Sequence, residues 1–277
     1  MKIRSTILIL FFLISSCGSA SKENFNIDII KTKEFLKNND KIEFFINNPS
    51  SKIISNLEFE IDDNLVSSPY LLNNKLGKNI LKATFSVDDK QYIINKEFVI
   101  YSSIKPKIYS YKIINEFSHD INSYTQGLEF SNNDFLYEGT GQYGYSMLKK
   151  VNYQTGEVLE KLFLDKSYFG EGITILNDKI FQLTWKSKMG FVYNLNDFKL
   201  LNSFNYNNSV EGWGLCNDGK YIYKSDGTEK IWKLDSNNLE EIDFVNVVTN
   251  NKVINKINEL EWFNNKIYAN TYQFNKE

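Results

Sequence analysis

The chain has 277 residues, with one histidine and two cysteines. Zinc sites use about three or four ligands drawn mainly from His and Cys, so this composition excludes zinc fingers, His-rich zinc hydrolases and disulfide scaffolds. The 32 Lys and Arg against 34 Asp and Glu, with no basic block, argue against nucleic acid as a partner, and 15% aromatic residues with only 3 prolines favour strands over helices.

The N-terminal segment indicates export and lipidation. Lys2 and Arg4 precede an apolar run at 7–14, which is shorter than the about 20 residues of a spanning helix. Small residues then lead into Cys17, a pattern that resembles the lipobox of bacterial lipoproteins. We expect a lipoprotein signal in residues 1–17 and a lipid-anchored, exported protein facing the periplasm or the cell exterior. The alternative is an ordinary signal peptide with an incidental cysteine.

The polar residues 18–26 are expected to act as a tether, and residues 27–105 are predicted to form a small β-sandwich. Within that sandwich Leu57, Phe59 and Ile61 alternate with glutamates, and a second alternating apolar set follows at 81–87. Short half-buried strands joined by polar turns are typical of an antiparallel sandwich, here expected to be immunoglobulin-like. We find no site chemistry in it and expect a spacer or docking module.

An internal repeat occupies the rest of the chain. Its four copies are separated by 45, 42 and 45 residues, and each copy begins with an apolar strand, followed by a second strand at the same intervals. A third strand recurs in the first three copies. The first strands of the copies are QGLEF at 126–130, EGITI at 171–175, WGLCN at 213–217 and NELEW at 258–262. A strand repeat of this length predicts a β-propeller over residues 110–277.

The repeat also predicts a site, because equivalent ends of the inner strands meet at the propeller axis. The first position of each copy differs chemically although the apolar frame is preserved: Gln126, Glu171, Trp213 and Asn258. The ends of the second strands are expected to add Glu138, Trp185, Asp226 and Tyr272. A glutamate among aromatic rings should have a raised pKa, suited to proton transfer, and two amides can hold a peptide. For each residue alone, packing or capping is the plainer interpretation.

Three other polar or reactive residues are expected to be structural. The single histidine, His119, precedes the first inner strand and is predicted to make a hydrogen bond to a neighbouring loop. Asp226-Gly227-Thr228 is predicted to be a turn, because it lacks the dense oxygen ligands of a calcium loop. If Cys17 is lipidated, Cys216 has no partner and is expected to be a buried, inert thiol.

Several stretches from about residue 112 onwards resemble the propeller-type glutaminyl-peptide cyclotransferases of plants and bacteria. The resemblance rests on these segments: FSHD at 117–120, YTQGL at 124–128, EGTGQYG at 138–144, YFGEGIT at 168–174, QLTWK at 182–186, GWGL at 212–215, SDGT at 225–228, INELE at 257–261 and YAN at 268–270. Their order and spacing fit the family over more than half of the chain.

The resemblance implies a five-bladed propeller, an acyltransferase that closes N-terminal glutamine of peptides or proteins into pyroglutamate and releases ammonia, without a metal or other cofactor. It implies that Glu171 transfers the proton. It also implies substrate contacts from Phe169, Trp185, Trp213, Gln126 and Asn258. The family's tryptophan and phenylalanine at two further contact positions are here Tyr272 and Tyr124, and both changes keep an aromatic ring.

The family pattern continues beyond the point where this chain stops, at Glu277. The continuation includes about another blade and a half and a lysine in a Thr-Gly-Lys motif. From this we expect about three and a half blades, in a fragment of a longer product or a truncated protein that is unstable or inactive. The expected protein is a monomer. The alternatives are a non-catalytic propeller lipoprotein that binds a surface or periplasmic partner, and a metal-dependent hydrolase on the same scaffold, which the ligand inventory disfavours.

Overall fold

A computed structural model describes residues 24–131 and 135–272. All named secondary-structure elements in these ranges are β-strands. The predicted all-β fold is therefore confirmed. No helix in this part of the chain is long and apolar enough to cross a membrane. The predicted signal segment with Cys17, most of the tether and a predicted turn at 132–134 lie outside the described residues.

Two sheets enclose one core in the N-terminal region. Their orders are β1-β3-β6 and β2-β8-β7-β4-β5, and all pairs are antiparallel except β2 with β8. Side chains from both sheets share that core, including Ile27, Phe44 and Phe85. The strands are β1 (Asn26–Lys31), β2 (Leu36–Lys37), β3 (Lys41–Asn47), β4 (Ser55–Ile61), β5 (Asn64–Val66), β6 (Tyr70–Leu71), β7 (Gly77–Val87) and β8 (Lys90–Tyr101).

The predicted alternation holds in β7, where every second residue from Leu81 to Val87 is buried. It fails at Leu57, which is exposed although the pattern predicted it to face the core. The physical reason is a shift in pairing between β4 and β7 at Ser55 to Glu58, with Asn56 at a positive φ. Leu57 lies within this bulge, where the ladder is locally disrupted, whereas Phe59 and Ile61 beyond it keep the predicted face. The immunoglobulin-like form and the domain boundaries stay predictions.

The repeat region forms three four-stranded sheets and one two-stranded sheet within the described residues. In each, successive strands pair antiparallel, as in propeller blades. The strands are β9 (Thr125–Phe130), β10 (Leu136–Thr140), β11 (Met147–Asn152), β12 (Glu157–Phe163), β13 (Gly170–Leu176), β14 (Lys179–Thr184), β15 (Met189–Asn194), β16 (Leu200–Asn205), β17 (Leu215–Asn217), β18 (Tyr221–Ser225), β19 (Lys230–Asp235), β20 (Glu241–Asn246), β21 (Ile257–Phe263) and β22 (Lys266–Thr271).

The first part of the predicted propeller, residues 110–124, contains no strand. Apolar side chains there and just before, such as Ile108 and Tyr111, are exposed, and β9 begins only at Thr125. A strand needs a neighbouring strand to satisfy its backbone groups, and no strand of the described residues pairs with this segment. The number of blades in the propeller stays a prediction.

Glycines at the second position of the repeat set the spacing of the inner strands. A Cβ added to Gly172 would lie 2.5 Å from the carbonyl oxygen of Trp213 and 2.7 Å from the Cα of Gly214. A Cβ on Gly127 would similarly lie 2.5 Å from the backbone nitrogen of Ile173. The backbone NH of Gly172 also donates to the Trp213 carbonyl over 2.7 Å. Neighbouring blades can meet this closely because these residues have no side chain.

Candidate active site

One cavity of about 190 Å³ lies where the inner strands converge. Four of the residues around it are the first positions of the repeat, and the other four are aromatic residues on neighbouring turns. The lining consists of Gln126, Glu171, Trp213, Asn258, Tyr124, Phe169, Trp185 and Tyr272. These are the eight residues singled out from the sequence for the catalytic and substrate-binding roles. Their roles stay predictions, but the structure brings them all to one place.

The strands of four sheets deliver the polar part of this lining. Gln126 lies in β9, Glu171 in β13 and Asn258 in β21, while Trp213 stands two residues before β17. Each is followed by the close-packed second position of its repeat, so its backbone is fixed by the neighbouring blade. Because the frame is shared, the four side chains project from equivalent points around one axis.

Glu171 is the buried carboxyl of the site, with 4% of its surface exposed. Burial raises its pKa to about 9; a hydrogen bond with Gln126 opposes the rise, and the negative charge of Glu211 adds to it. At neutral pH the group is therefore a carboxylic acid with a proton to give. A second carboxyl, Glu259, has buried oxygens, and burial followed by the nearby Glu171 raises its pKa well above the usual range.

Aromatic rings form the walls of the cavity. The ring of Phe169 lies 5.4 Å from that of Trp185 and 6.0 Å, edge to face, from that of Tyr124. On the other side Trp213 meets Tyr272 edge to face at 5.9 Å. The side chains of Tyr124 and Tyr272 are hydrogen-bonded, and this bond, followed by burial, raises the pKa of Tyr124. The two positions that differ from the family pattern thus contact each other across the cavity.

Two side chains predicted to join the site do not line it. Glu138 is buried elsewhere: its carboxylate accepts from Thr125 Oγ1 at 2.6 Å and lies 3.5 Å from Lys149 Nζ. Asp226 accepts from the Trp232 indole at 2.8 Å. That expectation was wrong.

The repeat intervals explain why Glu138 and Asp226 were misplaced. They put Trp185 and Tyr272 in register with Thr140 and Gly227. Glu138 therefore lies two residues short of the site position and Asp226 one residue short. In a strand, one or two residues decide the face and the depth at which a side chain lies.

Asp226-Gly227-Thr228 and Cys216 are placed as predicted, whereas His119 makes its hydrogen bond to a residue of strand β10 and not to a neighbouring loop. His119 Nε2 lies 3.1 Å from Glu138 Oε1, away from the cavity lining. Asp226 accepts from the backbone NH and the hydroxyl of Thr228, which forms the predicted turn. Cys216 is buried in the core, and burial raises the pKa of its thiol, which makes it a poor nucleophile at neutral pH.

Glu211 is a site residue that the sequence reasoning missed. It lies outside the cavity lining, but its carboxylate accepts hydrogen bonds from the indoles of Trp185 and Trp213. It stands two residues before the repeat position, in register with Lys256 and with the lining residues Tyr124 and Phe169. That shared register, together with an acidic residue directly before the segment GWGL at 212–215, was the available signal.

Comparisons with known proteins point to one family. Residues 90–276 match the sequence profile described as glutamine cyclotransferase. A glutaminyl-peptide cyclotransferase of Arabidopsis thaliana is 39% identical over 169 residues, which are 60% of this chain and 52% of that protein, so the chain spans about half the length of this relative. The crystal structure of Myxococcus xanthus glutaminyl cyclase superposes with a TM-score of 0.53 at 28% identity, covering 58% of this chain and 66% of that one.

Proposed function

The chain belongs to the glutamine cyclotransferase family, and on that premise we propose that it is a glutaminyl-peptide cyclotransferase, an acyltransferase that converts N-terminal glutamine of peptides or proteins to pyroglutamate and ammonia. The observation that carries the proposal is the buried acid Glu171, protonated at neutral pH and enclosed by five aromatic residues and two amides. This set of groups can bind a glutamine side chain and move a proton beside it.

Binding is proposed to fold the substrate side chain toward its own amine. The rings of Phe169, Trp185 and Trp213 would pack against its methylene groups, and an ammonium or amine near their faces is stabilised. Gln126 and Asn258 supply amide donors and acceptors for the carboxamide and the backbone. Holding the two reacting atoms together removes most of the entropic cost of ring closure.

The proposed reaction transfers an acyl group within the substrate. The neutral α-amine attacks the γ-carboxamide carbon, a C–N bond forms, and the bond to the amide nitrogen breaks. Glu171 donates its proton to the leaving nitrogen, and a carboxylate oxygen then takes the proton lost by the amine, so the acid is regenerated and ammonia leaves. Asn258 would donate a hydrogen bond to the oxyanion that develops, and its presence in the cavity lining supports this role.

The direct test is ammonia release from a short peptide that begins with glutamine. We expect release from this peptide and none from the same peptide with an acetylated N-terminus, because the attacking amine is then blocked. Peptides that begin with asparagine should be inert, since their side chain is too short to close a five-membered ring. Binding of the glutamine peptide without ammonia release would refute the enzymatic proposal and favour the non-catalytic alternative.

We also propose that the protein is exported and lipid-anchored through Cys17, facing the periplasm or the cell exterior, and that it acts as a monomer. The sequence before Cys17 supports the anchor. The full chain expressed in a bacterium should incorporate a labelled fatty acid, and Cys17→Ser should abolish the label. The matched control Cys216→Ser should keep it; labelling that survives Cys17→Ser would contradict the anchor.

A further inference from the structure

Glu211 joins two walls of the cavity through one oxygen atom. Its Oε2 accepts from the indole nitrogen of Trp185 at 2.5 Å and from that of Trp213 at 2.8 Å. The two tryptophans belong to neighbouring blades, one following β14 and the other preceding β17. An indole has a single donor and no acceptor, so each ring's only polar group is committed to this carboxylate.

Buried charged side chains hold the backbone of the loop that carries Glu211. Glu241 Oε2 accepts from the backbone nitrogens of Asn208 at 2.8 Å and Ser209 at 3.1 Å. Lys224, which is fully buried, donates to the carbonyl oxygen of Glu211 over 3.0 Å. The position of the Glu211 backbone is thus determined independently of its side chain. What the side chain adds is a contact to the two indoles.

The adjacent backbone leaves no room for the loop to shift. The NH of Gly212 donates to the carbonyl of Trp185 at 3.0 Å, and a Cβ on Gly212 would lie 2.7 Å from the carbonyl oxygen of Thr184. The backbone around Trp185 and Trp213 is therefore fixed. The rotation of each indole about its side-chain bonds is set by the hydrogen bond that it donates to Glu211, together with its ring contact to Phe169 or Tyr272. A ring that turned away would lose a hydrogen bond to a charged acceptor.

We propose that Glu211 is a positioning residue for the reaction: its carboxylate sets the orientation of the Trp185 and Trp213 rings that grip the substrate side chain and places a negative charge behind the acid Glu171. The inference rests on the proposed function for its catalytic part. Its structural part, the orientation of the two indoles, can be measured whether or not the protein releases ammonia.

The charge has a consequence for the acid. Glu211 contributes to the raised pKa of Glu171, so removing that charge should lower the pH at which Glu171 loses its proton. The other titratable groups that face Glu171 are Glu259, Tyr124 and Tyr206. All three remain in a Glu211 variant, so a shift of the pH profile reports on Glu211 itself.

Two substitutions separate orientation from charge. Glu211→Gln keeps a carbonyl oxygen that can accept from both indoles but removes the charge, whereas Glu211→Leu removes both. Glu240→Gln is the matched control, because it removes one negative charge from an exposed position in the loop between β19 and β20, outside the cavity lining. The probes are a pyroglutamyl peptide for equilibrium binding, near-ultraviolet circular dichroism for the indoles, and ammonia release as a function of pH.

We expect Glu211→Leu to change the tryptophan dichroism and to weaken peptide binding about tenfold, which corresponds to about 1.4 kcal/mol. Glu211→Gln should bind within about threefold of the parent protein, because the acceptor is retained, yet the alkaline limb of its kcat/KM profile should move to lower pH. Glu240→Gln should change none of these quantities.

Several outcomes would overturn the inference. Unchanged dichroism and unchanged binding in Glu211→Leu would remove the orienting role. If Glu211→Leu does not fold, an unshifted alkaline limb in Glu211→Gln overturns the role of the charge. If the parent protein binds the peptide but releases no ammonia, only the proposed function is refuted. The orienting role of Glu211 is then tested by peptide binding and by tryptophan dichroism. Loss of thermal stability without either change would indicate a purely structural residue and would contradict the proposal.

Discussion

Glu171→Gln is expected to lower kcat for ammonia release by about 10²–10⁴-fold, the range typical for loss of a general acid–base group. Glutamine has the same shape and can still hydrogen-bond with Gln126, so KM should change little. What it cannot do is give a proton to the leaving nitrogen and take one from the amine. The measurement is steady-state ammonia release together with a circular dichroism spectrum that shows an intact fold. A variant with unchanged kcat would rule out proton transfer by Glu171.

The proposed role of Glu171 also predicts how the activity of the parent protein depends on pH. Activity needs Glu171 protonated, so it should fall as pH rises through about 9. It also needs the substrate amine neutral, and a peptide α-amine has a pKa of about 7.7–8.0, so activity should fall again below that value. The expected kcat/KM profile is a narrow bell on the alkaline side of neutrality, and a profile that stays flat from pH 8 to 10 would contradict it.

Stability should respond to Glu171 with a defined sign. Its pKa in the folded protein, about 9, lies above its ordinary value of 4.5, so between these values the unfolded chain releases a proton that the folded chain keeps. Ionisation therefore favours unfolding over this window. Glu171→Gln should raise the free energy of unfolding at pH 7 relative to the parent, and the difference should vanish near pH 4, where both states are protonated.

Gly172→Ala should have the largest effect on the fold. The added methyl group would lie 2.5 Å from the carbonyl oxygen of Trp213 and within 2.8 Å of the backbone of Leu215. Backbone cannot swing aside as a side chain can, so two blades must move apart. We expect a loss of about 1–3 kcal/mol in the free energy of unfolding. Because Glu171 and Trp213 flank this contact, a displacement of about 1 Å should also cost about 10²-fold in activity.

The control for Gly172→Ala is Gly219→Ala. Gly219 has a positive φ of 87° but no atom within 4 Å of the position of an added Cβ. Alanine there introduces backbone strain without a clash, so stability should fall modestly and activity should not change. Thermal unfolding and ammonia release on both variants measure the difference. If the two alanines cost the same stability and activity, close packing of the blades is not what fixes the site.

The cavity lining could be predicted from the sequence because repetition acts as an internal alignment. Four copies with one shared apolar frame show which position is free to vary, and Gln126, Glu171, Trp213 and Asn258 all occupy that position in the structure. Elements that lack this shared apolar frame were not predicted from the sequence. The outer strands β12, β16 and β20 are largely exposed, so no apolar alternation marks them. Glu211 acts through hydrogen bonds that it accepts from the indoles of Trp185 and Trp213 on neighbouring blades, a side-chain contact that its position in the repeat does not specify.

The glycine at the second repeat position also has a consequence for redesign. In the first three repeats it packs the main chain against the next blade directly after a residue whose side chain lines the cavity. The fourth repeat has Glu259 at this position, and its Cα is packed against the glycine of the third repeat. The propeller therefore offers one position per repeat at which the side chain can be replaced while the backbone stays where it is. Randomising Gln126, Trp213 and Asn258 around a constant Glu171 would sample new substrate side chains without disturbing the packing that holds the array together.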